Sequence, residues 1–188
     1  MKKASVLFIL TSVLLISFNS CKKGCTDPYA TNYNAKKTKD NGKCEFYSRV
    51  ILHSVDVLKI PEKNSNGNFW DAGTDGDLDN DNSFPDLYVS FKAEGGYSYE
   101  PSTYYPTIDP YNVDRNFDIN PAIYTTEWRN NKGFYVYFYE VDLSGSVFDL
   151  IDSVQVIPFD INGSGDRFRD TLLITKGAIE FKANMSWE

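Results

Sequence analysis

Gly133-Phe134-Tyr135-Val136-Tyr137-Phe138-Tyr139-Glu140-Val141-Asp142 is the stretch that decides the fold class. Its core is aromatic and β-branched, the residue types that fit a pleated, half-buried strand. Working outward, similar short runs recur at Val50 to Leu58, Leu87 to Ala93, Val154 to Phe159, Thr171 to Ile174 and Ala178 to Lys182. Clusters of Asp, Asn, Gly and Pro separate them, and no segment beyond the N-terminal leader keeps a helical period. The punctuation predicts an all-β sandwich.

The N-terminus has a different character. Lys2 and Lys3 precede an apolar run from Val6 to Phe18, which ends in Phe18-Asn19-Ser20-Cys21. That run is shorter than the roughly 20 apolar residues a helix needs to cross a bilayer, and it reads as a secretory signal over residues 1 to 20. A retained transmembrane anchor is the alternative. The segment resembles a bacterial lipoprotein signal, with Phe18 as the apolar position and Ser20 as the small one; Asn19 departs from the usual small residue. The resemblance implies that Cys21 is diacylated, palmitate-type chains included, and opens the mature chain at a membrane.

Charge and cysteines bound the partners. The formal net charge is −7, and loss of residues 1 to 20 removes two lysines and no acid, giving −9. A polyanion is repelled by such a chain, and no basic patch interleaved with aromatics exists, so nucleic acid is not an expected partner. Cys25 and Cys44 form one even pair on an exported chain, which predicts a disulfide. A zinc site is the alternative, but His53 is the sole histidine and cannot complete an ordinary set.

Residues 21 to 47 read as a spacer. Asp27-Pro28 and Asp40-Asn41-Gly42 are turn chemistry, and closure by Cys25 and Cys44 is worth about 3 kcal/mol through the unfolded chain. Gly24-Cys25-Thr26-Asp27-Pro28, with Asn32-Tyr33 and Asp40-Asn41-Gly42 before Cys44, resembles a small repeat of secreted Bacteroidetes proteins. Asn41 stands where that family has a second aspartate, and Lys36, Lys37 and Lys39 are additional departures. A disulfide-knotted spacer and a ligand-binding loop both remain open for it.

Within residues 48 to 188 the acids are concentrated. Asp71, Asp75, Asp77, Asp79, Asp81 and Asp86 share one interstrand segment without lysine or arginine, interleaved with Asn80, Asn82 and Gly76. Ca²⁺ takes six to eight oxygen ligands of these kinds, so the segment is either a cation loop or a solvated acidic loop. Glu140 and Asp142 sit two apart at the end of the strongest strand, and Asp149 is expected in the loop that follows.

The run from Tyr139 to Asp152 resembles the third calcium loop of C2 domains, in which two acids two apart precede a third and then an apolar pair. Phe84-Pro85-Asp86-Leu87-Tyr88-Val89 resembles the first loop of that family, and Asn120-Pro121 before an expected strand Ala122 to Trp128 resembles its Asn-Pro-x-Trp turn. The resemblance covers about residues 49 to 188. It implies a C2-like eight-stranded antiparallel Greek-key sandwich with Ca²⁺ held by Asp86, Glu140, Asp142 and Asp149. Four features depart from the pattern: Glu140 replaces aspartate, one extra residue precedes Asp149, Asp152 replaces glycine, and loop one is expanded. The expansion leaves Asp71, Asp79 and Asp81 open as the partner of Asp86. Asp71, which ends the apolar Phe69-Trp70 anchor, is favoured.

Tyr97, Tyr99, Tyr104, Tyr105 and Tyr111 crowd one Pro- and Ser-rich stretch, either as a stacking platform for glycan or protein or as ordinary packing. His53, among apolar neighbours in the first strand, reads as a structural histidine. No spacing marks a catalytic cleft, for Asp109 and Asp114 or any other pair. The expected protein is therefore a binding module and not an enzyme, tethered to the cell envelope. The outer membrane is favoured, and Lys22 and Lys23 after Cys21 tilt it to the periplasmic face. An envelope protein or a glycan is the expected partner. A purely structural sandwich is the alternative, and a polysaccharide- or peptide-acting hydrolase comes third.

Overall fold

The computed structural model describes residues 23–70, 84–101, 104–106, 108–141, 148–161 and 166–188. The chain divides into two compact units, Met1–Tyr47 and Ser48–Glu188.

In the first unit, β1 (Lys23–Gly24) and β2 (Lys39–Asp40) pair in parallel. The Cys25–Cys44 disulfide closes the unit, with Cα atoms 5.0 Å apart. Turn chemistry supplies most of the remaining order. Asp27 Oδ1 accepts from the Tyr29 N–H at 2.9 Å, and Asp40 Oδ1 from the Gly42 N–H at 2.9 Å. Asn41 makes the same kind of turn, its Oδ1 accepting from the Lys43 N–H at 3.0 Å. Asn32 ties the loop ends, donating to the Lys43 carbonyl and accepting from the Glu45 N–H. Only Cys25 and Ala30 are buried among the described residues here, too little apolar surface to hold a fold without the crosslink.

The second unit contains β3 (Val50–Lys59), β4 (Leu87–Ala93), β5 (Ser98–Tyr99), β6 (Arg115–Thr125), β7 (Phe134–Val141), β8 (Phe148–Val156), β9 (Thr171–Lys176) and β10 (Ile179–Trp187). One four-stranded sheet runs β6-β3-β10-β9 and the other β5-β4-β7-β8, with every pairing antiparallel. The eight-stranded antiparallel sandwich expected from the sequence is the fold that forms. Between sheets, Phe138 on β7 meets Phe181 on β10 with ring centroids 5.3 Å apart. Around that contact, Leu87, Val89, Phe91, Phe134, Val136, Ile179 and Ala183 point inward and are buried.

Alternation along β3 is interrupted for a physical reason. Val50 and Leu52 point inward, then Val55 and Val57 do, because β10 pairs Met185 with Leu52 and Asn184 with Ser54 and leaves His53 as an extra residue. His53 is consequently exposed, its Nε2 2.7 Å from the Ser186 hydroxyl, instead of lying among apolar side chains.

The strand expected at Ala122 to Trp128 is also revised. β6 runs through Asn120-Pro121, whose peptide is cis, and these residues fall where the register against β3 jumps from Leu52–Ile123 to Ser54–Asp118. Proline is tolerated at such an irregularity on an edge strand. Trp128 belongs to a short 3₁₀ turn, Trp128–Asn130. Fully buried, it packs on Phe159, Phe168 and Trp187 at centroid distances of 5.4, 5.9 and 5.3 Å and seals one end of the sandwich.

Phe181→Ala removes the ring that joins the sheets and should lower stability by about 3–5 kcal/mol, whereas His53→Ala should stay within about 0.5 kcal/mol. Urea midpoints of the two variants test this.

Candidate functional site

The end of the sandwich opposite Trp128 is where β7 finishes and β4 and β8 begin. Strand periodicity there puts carboxylates in places that an ordinary strand end does not. Phe134, Val136 and Phe138 face inward, so Glu140, two further on, does too. It is 2% exposed. Glu140 is flanked by Leu87 on β4 and by Asp149 on β8. Asp86, 6% exposed, directly precedes Leu87, and its carbonyl accepts from the Val141 N–H at 3.0 Å. Burial of a carboxylate is costly unless other groups compensate it, which makes this edge chemically distinct from the rest of the sheet.

Asp149 does not lie in a loop. It is the second residue of β8, because Phe148, Asp149 and Leu150 pair with the last three residues of β7 and Ile151 is accommodated as a bulge. The exposed Asp149 lines a polar pocket of about 240 Å³ with Asn64, Ser65, Asn66, Trp70, Leu150 and Ile151. The 64–68 turn is held by Asn64 Oδ1, which accepts from the N–H groups of Asn66 (3.0 Å) and Asn68 (3.1 Å), with Gly67 at φ +79°. Trp70 is anchored by its indole N–H on the Pro61 carbonyl at 2.8 Å. Asn64, Ser65 and Asn66 were not singled out in the sequence. Their signal was the oxygen-rich Asn-Ser-Asn-Gly turn, readable as punctuation alone.

Register therefore brings Asp86, Glu140 and Asp149 to one edge. Asp71, which follows Trp70, and Asp142, which follows Val141, lie outside the described residues, as do Asp75, Asp77, Asp79, Asp81 and Cys21. Among the described residues no group of three or more His, Cys, Asp or Glu side chains converges as a metal site would. Asp152 is ion-paired with Lys176 at 2.8 Å.

No protein-family model matches the chain, and no curated protein matches it in sequence. Among solved structures it is similar to extended-synaptotagmin 2, in a structure that holds the SMP domain of that protein and two C2 domains. The TM-score is 0.45 at 10% identity, over 77% of this chain and 29% of that one.

The tyrosines of residues 97 to 111 do not make one platform. Tyr97 pairs with Tyr124, centroids 4.9 Å apart, Tyr99 lies by Phe91, and Tyr105 packs edge-on to Phe117. Tyr111 donates to Glu62 Oε2 at 2.6 Å beside the acid end. That bond raises the Tyr111 phenol above its ordinary value of 10.0, since ionisation would lose it. A raised phenol stabilises the fold at pH below the ordinary tyrosine range, and the contribution fades as pH climbs through the folded value. In an ultraviolet titration at 295 nm, Tyr111→Phe should remove one late-titrating tyrosine, and Glu62→Gln should shift one toward the ordinary range.

Proposed function

We propose that the protein is an exported binding module, lipid-anchored through Cys21, whose acid end takes up Ca²⁺. The reading rests on one observation above the others. Asp149 stands opposite Glu140 in the strand pairing and shares a polar pocket with the Asn64–Asn66 turn and Trp70. The acidic segment 71–83 and the segment 142–147, which carries Asp142, are joined in the chain to residues of this same edge through Trp70, Phe84, Val141 and Phe148.

In this reading Asp86, Glu140, Asp142 and Asp149 supply carboxylate oxygens, with Asp71 assisting. Ca²⁺ accepts side-chain amide, hydroxyl and water oxygens in a flexible shell, so Asn64, Ser65 and Asn66 add compatible donors. Bound cation neutralises the edge and leaves it able to meet an envelope protein or a glycan. The disulfide-closed residues 21 to 47 act as a spacer from the outer membrane, on its periplasmic face. The protein binds and does not catalyse. A structural sandwich that holds no calcium is the second reading, favoured by the inward burial of Glu140, which turns one proposed ligand away from solvent.

Thermal unfolding of the full chain with Ca²⁺, with Mg²⁺ and with a chelator separates the two. A ligand at one hundred times its dissociation constant adds about 2.7 kcal/mol, so Ca²⁺ should raise the melting temperature by several degrees, and Asp149→Asn should cancel the rise. Equal melting in all three solutions discards the calcium site. The anchor is tested separately: radiolabelled palmitate should enter the wild-type chain in a bacterial host and be absent from Cys21→Ser.

A further inference from the structure

The outer face of the β5-β4-β7-β8 sheet carries a pocket that the acid end does not use. Its volume is about 230 Å³ and its lining is Tyr88, Ser90, Glu100, Tyr139 and Phe148. Strand alternation builds it. Tyr88 and Ser90 interleave with inward Leu87, Val89 and Phe91, while Tyr139 separates inward Phe138 from inward Glu140. The three rings incline to one another: Tyr88 and Phe148 meet at 5.1 Å and 68°, Tyr139 and Phe148 at 6.2 Å and 88°, Tyr88 and Tyr139 at 6.0 Å and 53°. Phe148 is 48% exposed.

Ser90 adds a polar group to this aromatic lining. It is 8% exposed as a residue and brings a hydroxyl, donor and acceptor at once, to the pocket. A ligand that displaces water from the pocket must offer that hydroxyl a partner. We propose that this pocket binds a neutral pyranose ring of a glycan, stacked on the aromatic rings and hydrogen-bonded through Ser90 and Glu100.

The lining selects this ligand class by elimination. An apolar ligand would leave the Ser90 hydroxyl unpaired, and so would a quaternary ammonium, although rings and carboxylate suit its charge. Glu100 and the net charge of −7 disfavour phosphate, sulfate and uronate groups. A pyranose presents C–H faces to rings and hydroxyls that both donate and accept. The pocket is smaller than the roughly 300–1,000 Å³ that drug-sized ligands occupy, in keeping with one sugar ring. Tyr88 adds a phenol hydroxyl, held above its ordinary value of 10.0 by burial and by Glu100. From Tyr139 the row continues to Tyr137 and Tyr135, with centroids 6.4 and 6.3 Å apart, which gives neighbouring sugars further rings. No metal enters this proposal, and it stands apart from the calcium reading.

Calorimetric titration of the full chain in a chelator, with neutral hexasaccharides of glucose, mannose, xylose and galactose, tests it. Oligogalacturonate and choline serve as contrasting probes. At least one neutral hexasaccharide should bind, with affinity at least tenfold lower in Tyr88→Ala and Phe148→Ala and several-fold lower in Ser90→Ala and Tyr88→Phe. Unchanged melting temperatures in Ser90→Ala and Tyr88→Phe control for folding. Failure of every neutral probe to bind overturns the proposal. Binding indifferent to these substitutions does so too, as does oligogalacturonate or choline binding more tightly than the neutral sugars with the same residue dependence.

Discussion

Period-two alternation along β7 is the constraint on which the other features depend. Phe134, Val136 and Phe138 are buried, and Phe138 reaches Phe181 across the sandwich. Because the period does not stop at the last apolar residue, Glu140 is carried inward as well, while Tyr135, Tyr137 and Tyr139 form a row on the other face. One strand thus supplies the contact between the sheets, the buried acid at the edge and the ring wall of the outer pocket. A register slip by one residue would exchange these roles, placing tyrosine hydroxyls in the core and phenylalanines in water.

What could be read from the sequence follows from how far such local rules reach. Leu87 to Ala93 forms β4 with the boundaries read from its residues, since clean alternation between turn signals leaves little choice. The all-β class was legible on similar grounds, and the disulfide from the even pair of Cys25 and Cys44 behind an export-type leader. Bulges were not. His53 in β3 and Ile151 in β8 are extra residues that only the partner strand defines, and each moved a chemically notable side chain: the histidine to the surface, Asp149 from an expected loop onto a strand. Trp128 read as the end of the strand expected after Asn120-Pro121. Its burial against Phe159, Phe168 and Trp187, residues 31 to 59 positions later, is a tertiary fact that no window of sequence contains.

The acid end was partly legible for the same reason. Two acids at alternate positions announce a shared side, and the cross-strand partner of Glu140 turned out to be Asp149. Sequence spacing could not say that Glu140 lies on the inner side, because that depends on which face of β7 packs on β10. The outer aromatic pocket was missed altogether. Its rings come from three strands, Tyr88, Tyr139 and Phe148, whereas attention to sequence crowding selected tyrosines 97 to 111, which pack separately. Proximity in sequence is a poor guide on a sheet, where residues i and i+1 face opposite ways and neighbours in space come from paired strands.

That geometry also places the two surfaces in close mechanical relation. Tyr139 and Glu140 are consecutive on β7, and Phe148 and Asp149 are consecutive on β8. In each pair the first member belongs to the aromatic pocket and the second to the acid edge. A group that fixes Glu140 and Asp149 would fix the backbone between them, and with it the inclination of the Tyr139 and Phe148 rings, without touching either ring. The reverse holds equally, since a ligand clamped between those rings restrains the same peptide units. Coupling of this kind needs no long pathway, because the shared element is the hydrogen-bonded end of two adjacent strands, and by linkage it would act with equal strength in both directions.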